Sequence, residues 1–131
     1  MRNTSPPYNF FHRIYLALNG IWIATKRERH LKFHFVFALL LLLPLLFLNV
    51  APLHSWIMVI LVTQLIILEL LNTAIETTVD LITRKFRFRA KLAKDVSSGA
   101  VLINAILAFT FGVYIYGYDM YNFFIGAFIG S

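Results

Sequence analysis

Apolar and polar positions fall into a few long blocks along the chain. Phe10, Phe11, Ile14, Tyr15, Leu18, Ile21 and Trp22 recur at helical spacing, with Arg13, Asn19 and Lys26 between them. That pattern predicts an amphipathic helix over about residues 10–30, lying on a membrane surface or packed on a bundle. Phe35–Ala51 carries no charge. Trp56–Leu68 is apolar apart from Thr63 and Gln64, and its helical pattern runs on to Ile82; Ala100–Tyr118 again carries no charge. A span needs about 20 largely apolar residues, so three transmembrane helices are expected, over about 33–51, 56–82 and 97–118. At 1.5 Å per residue the middle one is about 40 Å long. Hydrocarbon is only about 30 Å thick, so one end of that helix stands in the headgroup layer.

The remaining punctuation is sparse. Thr4-Ser5-Pro6-Pro7 marks residues 1–9 as a disordered lead, Pro44 bends the first span, and Asn49–Pro52 turns the chain. Trp56 at one end and Tyr114, Tyr116, Tyr118 and Tyr121 at the other form an aromatic interface belt. Thr83–Ala93 reads as a short basic loop with Phe86 and Phe88 interleaved. Residues 119–131 form an apolar tail whose run Met120–Ile129 is too short to span alone; Gly126 and Gly130 have small-residue packing spacing. The expected organisation is therefore one all-α membrane domain, residues 10–118, between a lead and a tail. No internal repeat is present.

Composition agrees with the pattern. Hydrophobic residues make up 60% and charged ones 14% of the 131, with mean hydropathy +0.74, values of an integral membrane protein. Charge adds the topology. All twelve bases fall in two blocks, Arg2–Lys32 and Arg84–Lys94, and none lies in Asn49–Ser55 or after Ala100. The positive-inside rule then places the N-terminus and the second loop in the cytoplasm, and the C-terminus outside. Juxtamembrane bases of this kind meet anionic lipid headgroups rather than nucleic acid. The first apolar run begins late and carries no small-residue cleavage site, so no signal peptide is expected. Without cysteine there are no disulfides.

Three of the six acids share one helix face. Glu69, Asn72, Glu76 and Asp80 fall within an arc of roughly 80°. A charge at a bilayer centre costs roughly 2.5–3.5 kcal/mol on insertion scales, and a divalent cation is the natural compensation. With Glu28, Lys94 and Asp95, these residues converge at the cytoplasmic boundary. Mg²⁺ takes carboxylate oxygens and shares its coordination with phosphates, and Lys94 supplies a point charge for a phosphate. Metal, phosphate binder and base are what phosphoryl transfer needs. There is no Walker-type or kinase-type glycine loop.

The run Glu69-Leu-Leu-Asn72-Thr-Ala-Ile-Glu76-Thr-Thr-Val-Asp80 resembles the signature of the prokaryotic diacylglycerol kinase and undecaprenol kinase family, with every signature position filled. The likeness continues through Ala93-Lys94-Asp95 and the small residues Ser97 to Ala100, takes in Glu28, and covers roughly Phe10–Tyr118. It implies a helical homotrimer that moves the γ-phosphate of MgATP to the primary hydroxyl of a membrane lipid. By the same resemblance, Glu69 is the general base, Glu28 and Glu76 hold Mg²⁺ bridged to ATP, and Lys94 neutralises the phosphates. Asn72, Asp80 and Asp95 orient the site or contact nucleotide.

Arg29-His30-Leu31-Lys32-Phe33-His34 and Asp80-Leu81 lean toward the undecaprenol branch, with diacylglycerol as the other acceptor. The acid-free 83–93 loop and the tail depart from the family pattern. Plainer readings exist for several residues. Set against the kinase reading, the stripe has two plainer ones, glue between subunits and a cation path, although a conductor wants polar residues along the whole span and Trp56–Leu68 is nearly bare. Asp80 is placed to pair with Arg84 at i,i+4. Asn104 and Thr110 read as helix–helix hydrogen bonds, Ser98 as a small contact residue, and Gln64 as subunit glue.

Overall fold

The structure, a computed structural model, describes residues 9–129; the lead up to Tyr8 and the Gly130 half of the tail's glycine pair lie outside them. Every regular element among these residues is helical. In order they are α1 (Phe10–Arg27), α2 (Arg29–Leu42) with a 3₁₀ turn at Leu43–Leu46, α3 (Pro52–Ile82) and α4 (Phe88–Ile129). Three stretches are long and apolar enough to cross a membrane: Arg29–Leu46, Pro52–Ile82 and Phe88–Tyr121.

Several boundaries differ from expectation, each for a local reason. Pro44 ends the α-helical run instead of bending it: lacking an N–H, it leaves a 3₁₀ turn closed by Phe47 and Leu48 N–H onto its own carbonyl. The first span thus stops at Leu46 rather than 51. The basic stretch expected as a loop over Thr83–Ala93 is a loop only to Arg87. From Phe88 on, Arg89-Ala90-Lys91-Leu92 are strong helix formers, and their charges had masked that propensity. At the other end, nothing after Tyr118 breaks the backbone, so α4 runs on to Ile129 and the tail is its continuation. At about 1.5 Å per residue its 42 residues extend roughly 63 Å.

A single seam organises the bundle. On α3 the buried residues are Met58, Val62, Leu65, Glu69 and Asn72, alternating steps of four and three. On α4 Val101, Asn104, Ala108 and Ile115 keep the same rhythm. Side chains at these spacings stack on one helix face, and the two helices, joined by the short 83–87 turn, lie antiparallel in the most extensive contact of the chain. Ala38 and Leu41 of α2 close the apolar part of the seam. There Gly112 permits close approach, since a Cβ on it would sit 3.1 Å from Leu41 Cδ2 and 3.2 Å from Met58 Cε.

Outward faces are apolar as well, with Leu39, Leu40, Ile60, Leu102, Ile103 and Ile106 all exposed. Helices surrounded by lipid gain little from hydrophobicity alone, so packing and hydrogen bonds hold them. Asn104 Nδ2 donates to the Leu61 carbonyl at 3.0 Å, as expected of a helix–helix bond, and the Tyr116 hydroxyl donates to the Leu41 carbonyl.

Candidate active site

One half of the seam is polar. Toward the end of the bundle that carries Arg84–Lys94, the positions filled by Met58, Val62 and Leu65 are continued by Glu69 and Asn72, only 3% and 7% exposed. Because α3 is unbroken from Pro52 to Ile82, the side chains that enter the apolar seam and the polar one share one rigid register. Glu69, Asn72 and Glu76 face a cavity of about 330 Å³ whose other walls are His30, Phe33 and His34 of α2 and Ser98, Val101 and Leu102 of α4.

Asn72 is the hub of this cavity. Its Nδ2 donates to Glu76 Oε1 at 3.3 Å, while its Oδ1 lies 2.6 Å from Ser97 Oγ and 3.3 Å from Ser98 Oγ. One amide therefore fixes the rotamer of Glu76 and ties α3 to α4. Glu69 has His34 Nε2 at 3.7 Å from its Oε2, and it lies within electrostatic reach of His30, Glu76 and Glu28.

Glu28 occupies the break between α1 and α2. Its backbone is extended (φ −97°, ψ 121°), so it serves as C-cap of one helix and N-cap of the next, yet its side chain makes no capping hydrogen bond. That carboxylate lines a second cavity, about 540 Å³, with Arg27, Thr73, Thr77, Asp80 and Arg84. Expected inside one helix over 10–30, Glu28 stands instead at a corner. Its neighbours Lys26, Arg27 and Arg29 are good helix formers, so tertiary folding and not propensity makes the break.

The seven residues singled out in the sequence are thus divided. Glu69, Asn72 and Glu76 line one cavity, and Glu28 and Asp80 line the next. Lys94 joins the second group: its Nζ donates to Asp80 Oδ1 at 2.6 Å from across the α3–α4 pair, so Asp80 is bridged to α4 and not to Arg84 one turn on. Asp95 is not brought in; it accepts from Lys91 Nζ at 2.5 Å on the exposed side of α4. Two residues of the site, His34 and Ser97, carried no assigned role in the sequence. Ser97 was visible only as a small residue after Lys94. His34 had a weak signal, an isolated imidazole inside the otherwise apolar run from Phe33.

Mg²⁺ keeps several waters and needs only one or two carboxylates beside phosphate. Glu76, oriented by Asn72, and Glu28, with no capping bond to hold it, are donors of that kind. Among the described residues no three His, Cys, Asp or Glu side chains form a closed metal cage.

Fold and site define a small helical membrane protein with carboxylates and imidazoles gathered in its helix seam. A model of the prokaryotic diacylglycerol kinase family matches residues 15–116. Over 107 residues the chain is 38% identical to an undecaprenol kinase of Bacillus subtilis, covering 82% of this chain and 87% of that one. It is also 32% identical over 97 residues to a diacylglycerol kinase of Synechocystis sp., covering 73% of this chain and 55% of that protein. The chain belongs to the prokaryotic diacylglycerol kinase family and is a lipid kinase.

Proposed function

We propose that this kinase transfers the γ-phosphate of MgATP to the primary hydroxyl of undecaprenol, giving undecaprenyl phosphate. The observation that carries the reaction is Glu69, a carboxylate 3% exposed on a cavity between the membrane-type helices α2, α3 and α4. Likeness to the Bacillus subtilis undecaprenol kinase over most of both chains favours that acceptor. Diacylglycerol is the second reading, favoured by the Synechocystis relative.

In this reading Glu69 accepts the hydroxyl proton as the lipid oxygen attacks the γ-phosphorus. The new O–P bond forms as the bond to the β-phosphate oxygen breaks, and ADP leaves. Asn72 orients Glu76. Glu28 and Glu76 are the residues that would hold Mg²⁺, which supplies charge neutralisation between the phosphates. Lys94 exchanges Asp80 for phosphate oxygens, and Asp80 steadies the nucleotide; Asp95, held outward by Lys91, takes no part. The kinase domain is residues 10–118, with 119–129 an extension of its last helix.

The assembly is a homotrimer, and the basic end of the bundle faces the cytoplasm of a bacterial plasma membrane. The family resemblance supports the first, and the positive-inside pattern of bases supports the second. Helix α1 buries none of its residues in the chain, leaving Phe10, Phe11, Tyr15, Leu18 and Trp22 exposed. Such a face suits the membrane surface, and Arg84, Lys85 and Arg87 then reach anionic headgroups.

A competition assay tests this reading. The detergent-solubilised protein is given γ-labelled ATP, Mg²⁺, and equal undecaprenol and diacylglycerol in mixed micelles. Label is expected in undecaprenol. Label chiefly in diacylglycerol reverses the acceptor assignment, and label in neither overturns both.

A further inference from the structure

The partner of Glu69 is the least expected feature of the site. Among the described residues no hydrogen bond closes on that buried carboxylate, and the group facing it is His34 Nε2 at 3.7 Å. The far side of the same ring is sealed: His34 Nδ1 is buried and has no hydrogen-bond partner. His34 sits one turn after His30 on α2, with Phe33 beside it edge-on, ring centroids 5.6 Å apart.

That pair of facts selects a tautomer. A hydrogen on Nδ1 would bury an N–H with no acceptor, which is rarer and more costly than an under-used lone pair. With its hydrogen on Nε2, the ring leaves only a bare acceptor inside and aims its one donor at Glu69. A ring protonated on both nitrogens would again bury an unpaired N–H. The 3.7 Å gap is longer than a hydrogen bond. Catalytic hydrogen bonds commonly start long and tighten once substrate is bound, and closing this one takes a shift of roughly 0.5–0.8 Å.

We infer that His34 is a positioning residue: its Nε2–H holds the Glu69 carboxylate toward the lipid hydroxyl, and it does not itself take up the transferred proton. The inference rests on Glu69 being the base, as proposed above. The other ionisable groups around Glu69 are His30 from α2, Glu76 from α3 and Glu28 from the α1–α2 corner; α4 brings no ionisable group to this cavity, only Ser98.

The test compares two substitutions of nearly equal shape, His34→Gln and His34→Met, in the full-length protein in mixed micelles with MgATP and lipid. Glutamine keeps an N–H donor at about the position of Nε2; methionine does not. The Gln variant is expected to hold kcat within a few-fold and to keep the wild-type pH–rate profile. The Met variant is expected to lose kcat, on the order of 10²-fold as for a misplaced catalytic group, with KM for MgATP unchanged.

Equal activity of the two variants, high or low, overturns the donor role. So does an altered pH–rate profile in His34→Gln, because it would mean that the imidazole carries the proton. Glu69→Gln is measured alongside. Full turnover in that variant would fail the base assignment itself, whatever the His34 pair does.

Discussion

The two halves of α3 make an instructive pair. Met58 and Val62 of the seam pack against Ala38, Leu41, Ala108 and Ile115, and Leu65 continues it fully buried. Across Glu69 and Asn72 the same register, on the same helix and against the same neighbour, holds polar ones. Geometry buries both halves alike; what differs is the means of satisfaction. A buried Leu is satisfied by contact alone, whereas a buried carboxylate or amide needs a partner for each polar atom. Asn72 finds its partners inside the chain, in Glu76, Ser97 and Ser98. Glu69 does not close a hydrogen bond, and that leaves it available to substrate. A site can therefore be placed on a packing seam by changing residue types without changing the backbone.

The sharpest way to break the contrast is Glu69→Gln. Shape is kept and the base removed, so phosphoryl transfer is expected to fall by about 10²–10⁴-fold while gel filtration shows an unchanged oligomer. Wild-type turnover would remove Glu69 from the base role. On the apolar half the reverse is expected. Leu65→Ala, at a fully buried position, leaves a void worth about 2–5 kcal/mol, read as lower thermal stability in detergent with near-normal kcat at low temperature.

Asn72→Leu lies between the two. It keeps packing but removes the amide hub, at about 1 kcal/mol for each hydrogen bond lost. The expected result is roughly tenfold weaker use of MgATP, as Glu76 loses its orientation, and a KM unaffected by this change would detach Asn72 from the nucleotide site. Smallest of all should be Asn104→Leu. One interhelical bond in a membrane averages about 0.6 kcal/mol, so a slight drop in thermal midpoint and unaltered turnover are expected.

Much of this was legible in the residues, for identifiable reasons. The apolar blocks announced three crossing helices because chain length and hydrocarbon thickness leave few alternatives. The stripe Glu69, Asn72 and Glu76 was legible because helical periodicity alone puts those side chains on one face. Helix ends were read less well. Charge near Phe88 hides a helix start, and Pro44, whose place in a span predicts a bend, is a stop. Asp80 was open to two partners on paper, and Lys94, fourteen residues on, took it from Arg84 one turn away.

The sequence by itself determined the class of protein, the register of its carboxylates along α3 and the family signature they spell, since these depend on local periodicity and composition. Only the tertiary structure decided that Glu28 stands at a corner, that Asp80 and Lys94 join across two helices, that Asp95 turns outward to Lys91, and that His34 comes to face Glu69. Each of those depends on which helix faces which, and on where a chain of good helix formers chooses to break. Such contacts are made through space between residues far apart in the chain, and no spacing rule along one helix can anticipate them.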